Sequence, residues 1–191
     1  MSEHRTPTHP PVRSEPQQRV DVIFSETEIA AQIRVLAQTI AKTQWHQLLV
    51  VPVLTGSFVF AADLIRELHR VGLAPEVDFL TLSSYRRSVS SSGKVDILRD
   101  LDLDVAGRDV LIIDDVLESG RTLAFAKDLV AARGARRVKT CVLLDKQSHR
   151  AVQIDADFVA FKCPPVFVVG YGMDVAYRYR QLPYVGQVIT G

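Results

Sequence analysis

Val110-Leu111-Ile112-Ile113-Asp114-Asp115-Val116-Leu117-Glu118-Ser119-Gly120-Arg121-Thr122-Leu123 decides how the rest of the chain is read. Four apolar residues lead into two adjacent carboxylates, a third carboxylate follows, and a small polar turn opens onto a helical pattern. An uninterrupted apolar run is the mark of a parallel strand buried on both faces, and in open α/β sheets ligands bind at the carboxyl ends of strands. At that end this chain puts acids able to hold hydroxyls or a metal, then a turn whose backbone N–H groups face outward. The start of the following helix adds partial positive charge, which makes a phosphate seat. Acids for a sugar or metal beside amides for a phosphate point to a phosphorylated sugar as ligand.

The same design recurs upstream. Residues 48–54 read as a buried strand, Thr55-Gly56-Ser57 as a small polar turn, and Phe60, Leu64 and Leu68 as the core face of a helix that breaks at Gly72. This is a second candidate anion seat, although a Gly-Ser turn also serves plain geometry. Further upstream, residues 20–24 read as a short strand, and Ser25 and Glu28 fit a capping box. Ile29, Ile33, Leu36 and Ile40 then mark the buried stripe of an amphipathic helix. Residues 1–18, rich in prolines, glutamines and charges, read as a disordered tail.

Between the two seats, residues 77–85 read as a third strand. The basic, Ser- and Gly-rich stretch from Arg86 to Lys94 follows, and the chain resumes at Val95. That stretch is either the tip of a hairpin or a mobile lid. The opening strand is expected over residues 109–113, with its helix over about 119–133 and an αL cap at Gly134. Residues 138–144, 158–161, 166–170 and 185–189 read as further strands. Strands alternate with helices in the middle and cluster at the end. This predicts an α/β fold with a mainly parallel sheet flanked by helices, and a small cap from the terminal segments.

Of the 191 residues, 47% are apolar, enough for one domain with a sizeable core. Lys and Arg number 23 against 22 Asp and Glu, so a broad basic surface for nucleic acid is not expected. Cys141 and Cys163 follow no metal-ligand spacing, and Cys141 in its apolar run reads as a buried structural thiol. No apolar run reaches membrane-span length and no apolar signal core opens the chain, so a cytoplasmic location is expected. There is no Gly-x-x-x-x-Gly-Lys-Ser/Thr and no Gly-x-Gly-x-x-Gly, so neither a nucleoside triphosphate loop nor a dinucleotide turn is indicated.

Residues 110–123 resemble the phosphoribosyl pyrophosphate motif of the type I phosphoribosyltransferases: a hydrophobic run, two acids, two hydrophobics, a further acid, then Ser, Gly, any residue, Thr. The flanks are similar to the hypoxanthine-guanine branch of that family. Leu54-Thr55-Gly56-Ser57 resembles its pyrophosphate loop, and Ser84-Tyr85 the pair in its mobile loop. Leu143-Leu144-Asp145-Lys146 resembles the strand end with its purine-reading lysine. The run from Phe167 to Asp174 resembles its aromatic wall and metal-binding aspartate, with Arg180 at the place of a pyrophosphate-contacting arginine. The likeness runs in order from about residue 20 to 191. It implies one domain over 19–191, with a core at about 45–160 and a hood from about 19–25 and 161–191.

The resemblance implies transfer of ribose 5-phosphate from phosphoribosyl pyrophosphate to hypoxanthine, and also guanine, giving IMP or GMP and pyrophosphate in purine salvage. Asp114 and Asp115 would hold ribose hydroxyls and Mg2+, a hard ion that prefers oxygen. Ser119, Gly120, Arg121 and Thr122 would cradle the 5-phosphate. Thr55, Gly56 and Arg180 would contact pyrophosphate, and Asp174 would help hold a second Mg2+. Lys146 would donate to the 6-oxo group, Phe167 would stack on the base where it could otherwise be a plain core residue, and the Val168 backbone would read the N1/C2 edge. Arg150 is open between supporting pyrophosphate or Lys146 and a surface role. The resemblance also implies a homodimer or homotetramer, and a cis peptide between Leu54 and Thr55.

Two departures stand out. Glu118 occupies the place where most of the family carries Asp, the acid expected to handle the proton at purine N7. Its extra methylene matters, because a misplacement of about 1 Å can cost roughly a hundredfold in rate. Thr55 replaces a lysine often found in the pyrophosphate loop. The competing readings are a regulatory protein of the same fold that binds nucleotide and RNA, and a transferase preferring xanthine or a pyrimidine.

Overall fold

The structure, a computed structural model, describes residues 19–84, 95–147 and 150–189. In chain order the elements are β1 (Arg19–Phe24), α1 (Glu26–Ala41), β2 (Leu49–Leu54), α2 (Phe58–Arg70), β3 (Glu76–Val77), β4 (Leu80–Ser84), β5 (Val95–Arg99), β6 (Asp109–Leu117), α3 (Arg121–Ala132), β7 (Arg137–Asp145), β8 (Phe158–Lys162), β9 (Val168–Val169) and β10 (Val185–Ile189). The large sheet runs β5-β4-β2-β6-β7-β8, with β3 also pairing β2. Every pairing in it is parallel except β4 with β5, an edge hairpin whose strands frame residues 85–94. The tail over 1–18 and the loop expectation at Tyr85 and beyond lie outside the described residues.

The apolar periodicity does what it predicts. The Ser25 hydroxyl accepts from the Glu28 N–H at 3.3 Å and the Glu28 carboxylate accepts from the Ser25 N–H at 2.8 Å, so the capping box closes the first turn of α1. Ile29, Ile33, Leu36 and Ile40 of α1 join Phe60, Leu64 and Leu68 of α2 in one core layer against the sheet. Leu123, Ala126 and Val130 of α3 join Val110, Ile112 and Val142 in a second layer on the opposite face. Gly134 is left-handed, as its place after α3 requires.

Three expected boundaries change. The single strand expected from residue 77 is two over its described part, β3 and β4. The Asp78 N–H donates to the Val50 carbonyl at 3.1 Å, but the return bond in a parallel ladder would come from position 52, and Pro52 has no N–H. Asp78 instead caps the break, its carboxylate accepting from the N–H groups of Phe79 at 2.7 Å, Asp102 at 2.7 Å and Leu103 at 2.9 Å. The organising strand β6 does not stop at residue 113 but continues through both aspartates to Leu117, held by β7. The strand expected over 166–170 shortens to Val168–Val169, because Pro164-Pro165 precede it and Gly170 turns left-handed.

The terminal segments form a separate antiparallel sheet, β1-β10-β9. A stacked contact between Phe24 and Phe161, centroids 4.3 Å apart, ties the end of β1 to β8. In the large sheet the chain leaves β2 in one direction, toward β4, and β6 in the other, toward β7 and β8. The strand order therefore reverses between β2 and β6, the topological switch point where a crevice opens beyond the strand ends.

Candidate active site

Both turns singled out in the sequence sit at that switch point. Pairing of β6 with β2 ends at Pro52 opposite Ile113, whereas pairing with β7 continues to Leu117 opposite Asp145. From Asp114 onward β6 thus has one neighbour and one open edge among the described residues. The aspartates satisfy their own backbone there: the Asp115 N–H donates to the Asp114 carboxylate at 3.0 Å and the Val116 N–H to the Asp115 carboxylate at 2.9 Å. Strict alternation would send the two side chains to opposite faces. Both nevertheless line one cleft of about 360 Å³, together with Val53, Thr55, Gly56, Ser83, Thr122, Asp174 and Arg180.

Glycines make this convergence possible. A Cβ at Gly56 would lie 1.8 Å from Asp115 Oδ2, and one at Gly172 would lie 2.4 Å from the Gly56 carbonyl oxygen. Three chain segments meet there with no room for a side chain. The Leu54–Thr55 peptide is cis. Asp174 is held on both oxygens, by the Tyr177 N–H at 2.7 Å and by Arg180 at 2.9 Å. Arg180 also donates to the Gly172 carbonyl at 2.6 Å. On the other side of the cleft, left-handed Gly120 (φ 80°) turns the chain into α3, whose first turn carries no acid to occupy its free N–H groups.

A second cavity of about 110 Å³ adjoins the first and shares Asp115, Val116 and Asp174 with it. Glu118, Lys146, Phe167, Val168 and Met173 complete its wall. Lys146 is buried, and its Nζ lies 3.7 Å from Glu118 Oε1. Phe167 is 55% exposed, so it is a cavity wall and not the core residue that isolated reading allowed. Of the mobile-loop pair, Ser84 closes β4 and Tyr85 lies outside the described residues.

Among the described residues no three His, Cys, Asp or Glu side chains converge as a ready metal cage. The cleft offers oxygen donors only, from Asp114, Asp115 and Asp174, which suits a hard ion that completes its shell with water and substrate oxygens. Cys141 and Cys163 are free and buried, and burial pushes both thiols up. At Cys163 burial is the main cause, and the charges of Lys146 and Glu118 act in opposite directions. Neither cysteine is poised as a thiolate.

Sequence reading missed Gly172, although the Gly-Tyr-Gly string at 170–172 was a usable local turn signal, and all three residues have positive φ. It left Arg150 open between supporting pyrophosphate or Lys146 and a surface role, and the structure sets it in the interior beside Asp145, next to Lys146 in sequence. Its side chain pairs with Asp145 at 2.5 Å, both about 10% exposed, and reaches the Glu118 carbonyl at 3.3 Å.

A sheet with its switch point between β2 and β6, two acids on an open strand edge and a helix-opening turn beside them define a class. The chain belongs to the phosphoribosyltransferase family, its residues 20–176 matching the phosphoribosyl transferase domain. Within that family it is 45% identical over 173 residues to the hypoxanthine phosphoribosyltransferase of Salmonella typhimurium, a match covering 89% of this chain and 96% of that one. Among solved structures it is similar to a hypoxanthine-guanine phosphoribosyltransferase from Bacillus anthracis, with a TM-score of 0.82, 37% identity and coverage of 91% and 100%. A hypoxanthine phosphoribosyltransferase from Staphylococcus aureus also gives a TM-score of 0.82, at 36% identity and coverage of 88% and 91%. No helix among the described residues is long and apolar enough to cross a membrane.

Proposed function

We propose that this chain transfers ribose 5-phosphate from phosphoribosyl pyrophosphate to hypoxanthine, and also to guanine, releasing pyrophosphate and forming IMP or GMP. The observation that carries the reading is the pair of adjoining cavities sharing Asp115, Val116 and Asp174, one lined with acids and glycine turns and the other with Lys146 and Phe167. A sugar diphosphate and a flat base need two such chambers with the reacting carbon at the boundary.

In this reading a purine nitrogen attacks the anomeric carbon as the bond to pyrophosphate breaks, with inversion. Positive charge develops on the ribose ring, so the protein's task is to hold the partners in line and stabilise the leaving diphosphate. The 5-phosphate sits on the amides of Ser119 to Thr122, and Asp114 and Asp115 accept from the ribose hydroxyls. Thr55 and Gly56 offer backbone N–H groups to the pyrophosphate, and Arg180 adds a cation. When bound, Mg2+ would neutralise diphosphate charge, one ion held through Asp114 and Asp115 and a second with the help of Asp174. Phe167 stacks on the base, and the Val168 backbone reads its N1/C2 edge. Lys146 donates to the 6-oxo group, which disfavours adenine, because a 6-amino group would face donor with donor. Glu118 handles the N7 proton, and before the base arrives its carboxylate faces Lys146.

The test is kcat/KM for hypoxanthine, guanine and xanthine with Mg2+ and phosphoribosyl pyrophosphate, on the natural protein and on Glu118→Asp. Hypoxanthine turnover to IMP and pyrophosphate is expected. Shortening Glu118 is expected to change kcat more than the KM of the base, since the proton matters in the transition state. Absence of turnover with every 6-oxopurine would overturn the reading.

A further inference from the structure

We propose that Arg150 is a positioning residue that sets the direction of the phosphate-binding amides, a role that rests on the function proposed above. Its guanidinium joins two places that chemistry uses separately. Nη2 meets the Asp145 carboxylate at 2.5 Å, at the end of β7 and one residue before Lys146. Nη1 donates to the Glu118 carbonyl at 3.3 Å, where the phosphate loop begins. The backbone that follows continues the clamp. The N–H groups of Ala151 and Val152 both donate to the Ser119 carbonyl, at 2.9 and 3.0 Å. A Cβ on Gly120 would lie 2.6 Å from the Val152 carbonyl oxygen and 3.3 Å from Arg150 Cδ, so the loop is pressed directly onto this segment.

The consequence follows from peptide geometry. In a trans peptide a carbonyl and the next residue's N–H point in opposite directions. Pinning the Glu118 carbonyl backward aims the Ser119 N–H forward, and pinning the Ser119 carbonyl aims the Gly120 N–H forward. The Gly120 carbonyl is taken by the Ala124 N–H at 2.9 Å inside α3. Three successive carbonyls are therefore engaged away from the seat, which turns the Ser119 and Gly120 amides toward one anion, while the Arg121 N–H makes only a weak 3.4 Å bond to the Ser119 hydroxyl that an anion can replace. Arg150 is the side-chain member of this clamp. It acts on the peptide whose residue, Glu118, also carries the acid facing the base. A lysine could keep the ion pair with Asp145 but could not span both acceptors, because it lacks the planar fork.

The test compares Arg150→Ala and Arg150→Lys with the natural protein in IMP synthesis, reading kcat, the KM of each substrate and the thermal midpoint. Natural-protein turnover is the control: its absence defeats the proposed function itself, whereas normal turnover leaves this inference to be judged alone. With Arg150→Ala, the KM for phosphoribosyl pyrophosphate is expected to rise about tenfold and kcat to fall about tenfold, while the KM for hypoxanthine stays within about twofold. Arg150→Lys is expected to recover the thermal midpoint but not the KM for phosphoribosyl pyrophosphate. A purely structural role would lower the midpoint and the active fraction without moving that KM. An unchanged KM in Arg150→Lys overturns the inference, and that variant decides the matter alone if Arg150→Ala does not fold.

Discussion

The turn after β2 and the turn after β6 are built to one plan of strand, small polar turn and helix, yet their glycines are there for different reasons. Gly56 has no positive φ, and its side chain is excluded because the Asp115 carboxylate fills the space a Cβ would take. Gly120 is required twice over, by a φ of 80° and by the Val152 carbonyl behind it. The first turn is shaped by what it touches across the cleft, the second by its own backbone and by the segment that backs it. Their serines differ as well. Ser57 is fully buried and turns inward, its hydroxyl donating to the Val53 carbonyl at 2.6 Å, whereas Ser119 is half-buried in the turn that opens α3. Two similar strings of residues thus make one turn that positions a carboxylate and one that presents amides.

Substituting each glycine separates these reasons. Gly56→Ala drives a methyl into Asp115, and the cheapest relief is to move the carboxylate away from the sugar. A loss of about a hundredfold or more in kcat/KM is expected, with the thermal midpoint nearly unchanged because the clash is with a side chain beside an open cleft. Gly120→Ala meets backbone on one side and a strained φ on the other. It is expected to cost about 3 kcal/mol of stability, read by denaturant unfolding, alongside its loss of activity. Equal stability losses in the two variants would erase the distinction.

The two units share a root. Asp109 opens β6 with no exposure, and its carboxylate accepts from Arg136 at 2.6 Å, Arg137 at 2.5 Å and the His46 N–H at 2.8 Å just ahead of β2. Burial works to raise its pKa, but these donors outweigh burial and hold the carboxyl below the ordinary value. The sign follows: a depressed folded pKa contributes stability above the unfolded value of about 3.9, and that contribution is lost as pH falls through the folded value. Asp109→Asn is expected to cost roughly 2 kcal/mol at neutral pH. The gap to the natural protein should close as pH drops below about 4. A gap that stayed constant down to pH 2 would show that the charge at Asp109 is not what joins the roots.

What could be read from the sequence was local, and what could not was set by distant partners. The stripe of Ile29, Ile33, Leu36 and Ile40, the cap at Ser25 and the acids at 114 and 115 follow from spacing and composition within one turn or one strand. The break at Asp78 needed Asp102, 24 positions away, and the root at Asp109 needed His46, 63 positions away. The Arg150 clamp on Glu118 spans 32 positions. The continuation of β6 past Ile113 had the same cause, since a run broken by two aspartates reads as ended unless β7 is known to carry it on. The residues placed around the cleft came from motif likeness, and their local geometry explains why those residue types stand there.

The smallest expected effect tests the serines. Ser57 and Ser119 have the same chemistry and each adjoins a glycine, so residue type alone would treat them alike. Ser57 caps nothing with its side chain and faces away from the cleft. Replacing it with Ala removes one buried hydrogen bond and is expected to cost about 1 kcal/mol of stability. The KM for phosphoribosyl pyrophosphate should stay within about twofold, because no bond to that substrate is removed. Ser119 is only half-buried, and its hydroxyl accepts weakly from the Arg121 N–H at 3.4 Å. Ser119→Ala is expected to change stability by less than about 0.5 kcal/mol while raising that KM about fivefold. If both variants behaved like Ser57→Ala, the phosphate would be held by backbone alone. If both raised the KM, the inward turn of Ser57 would have to give way when substrate binds.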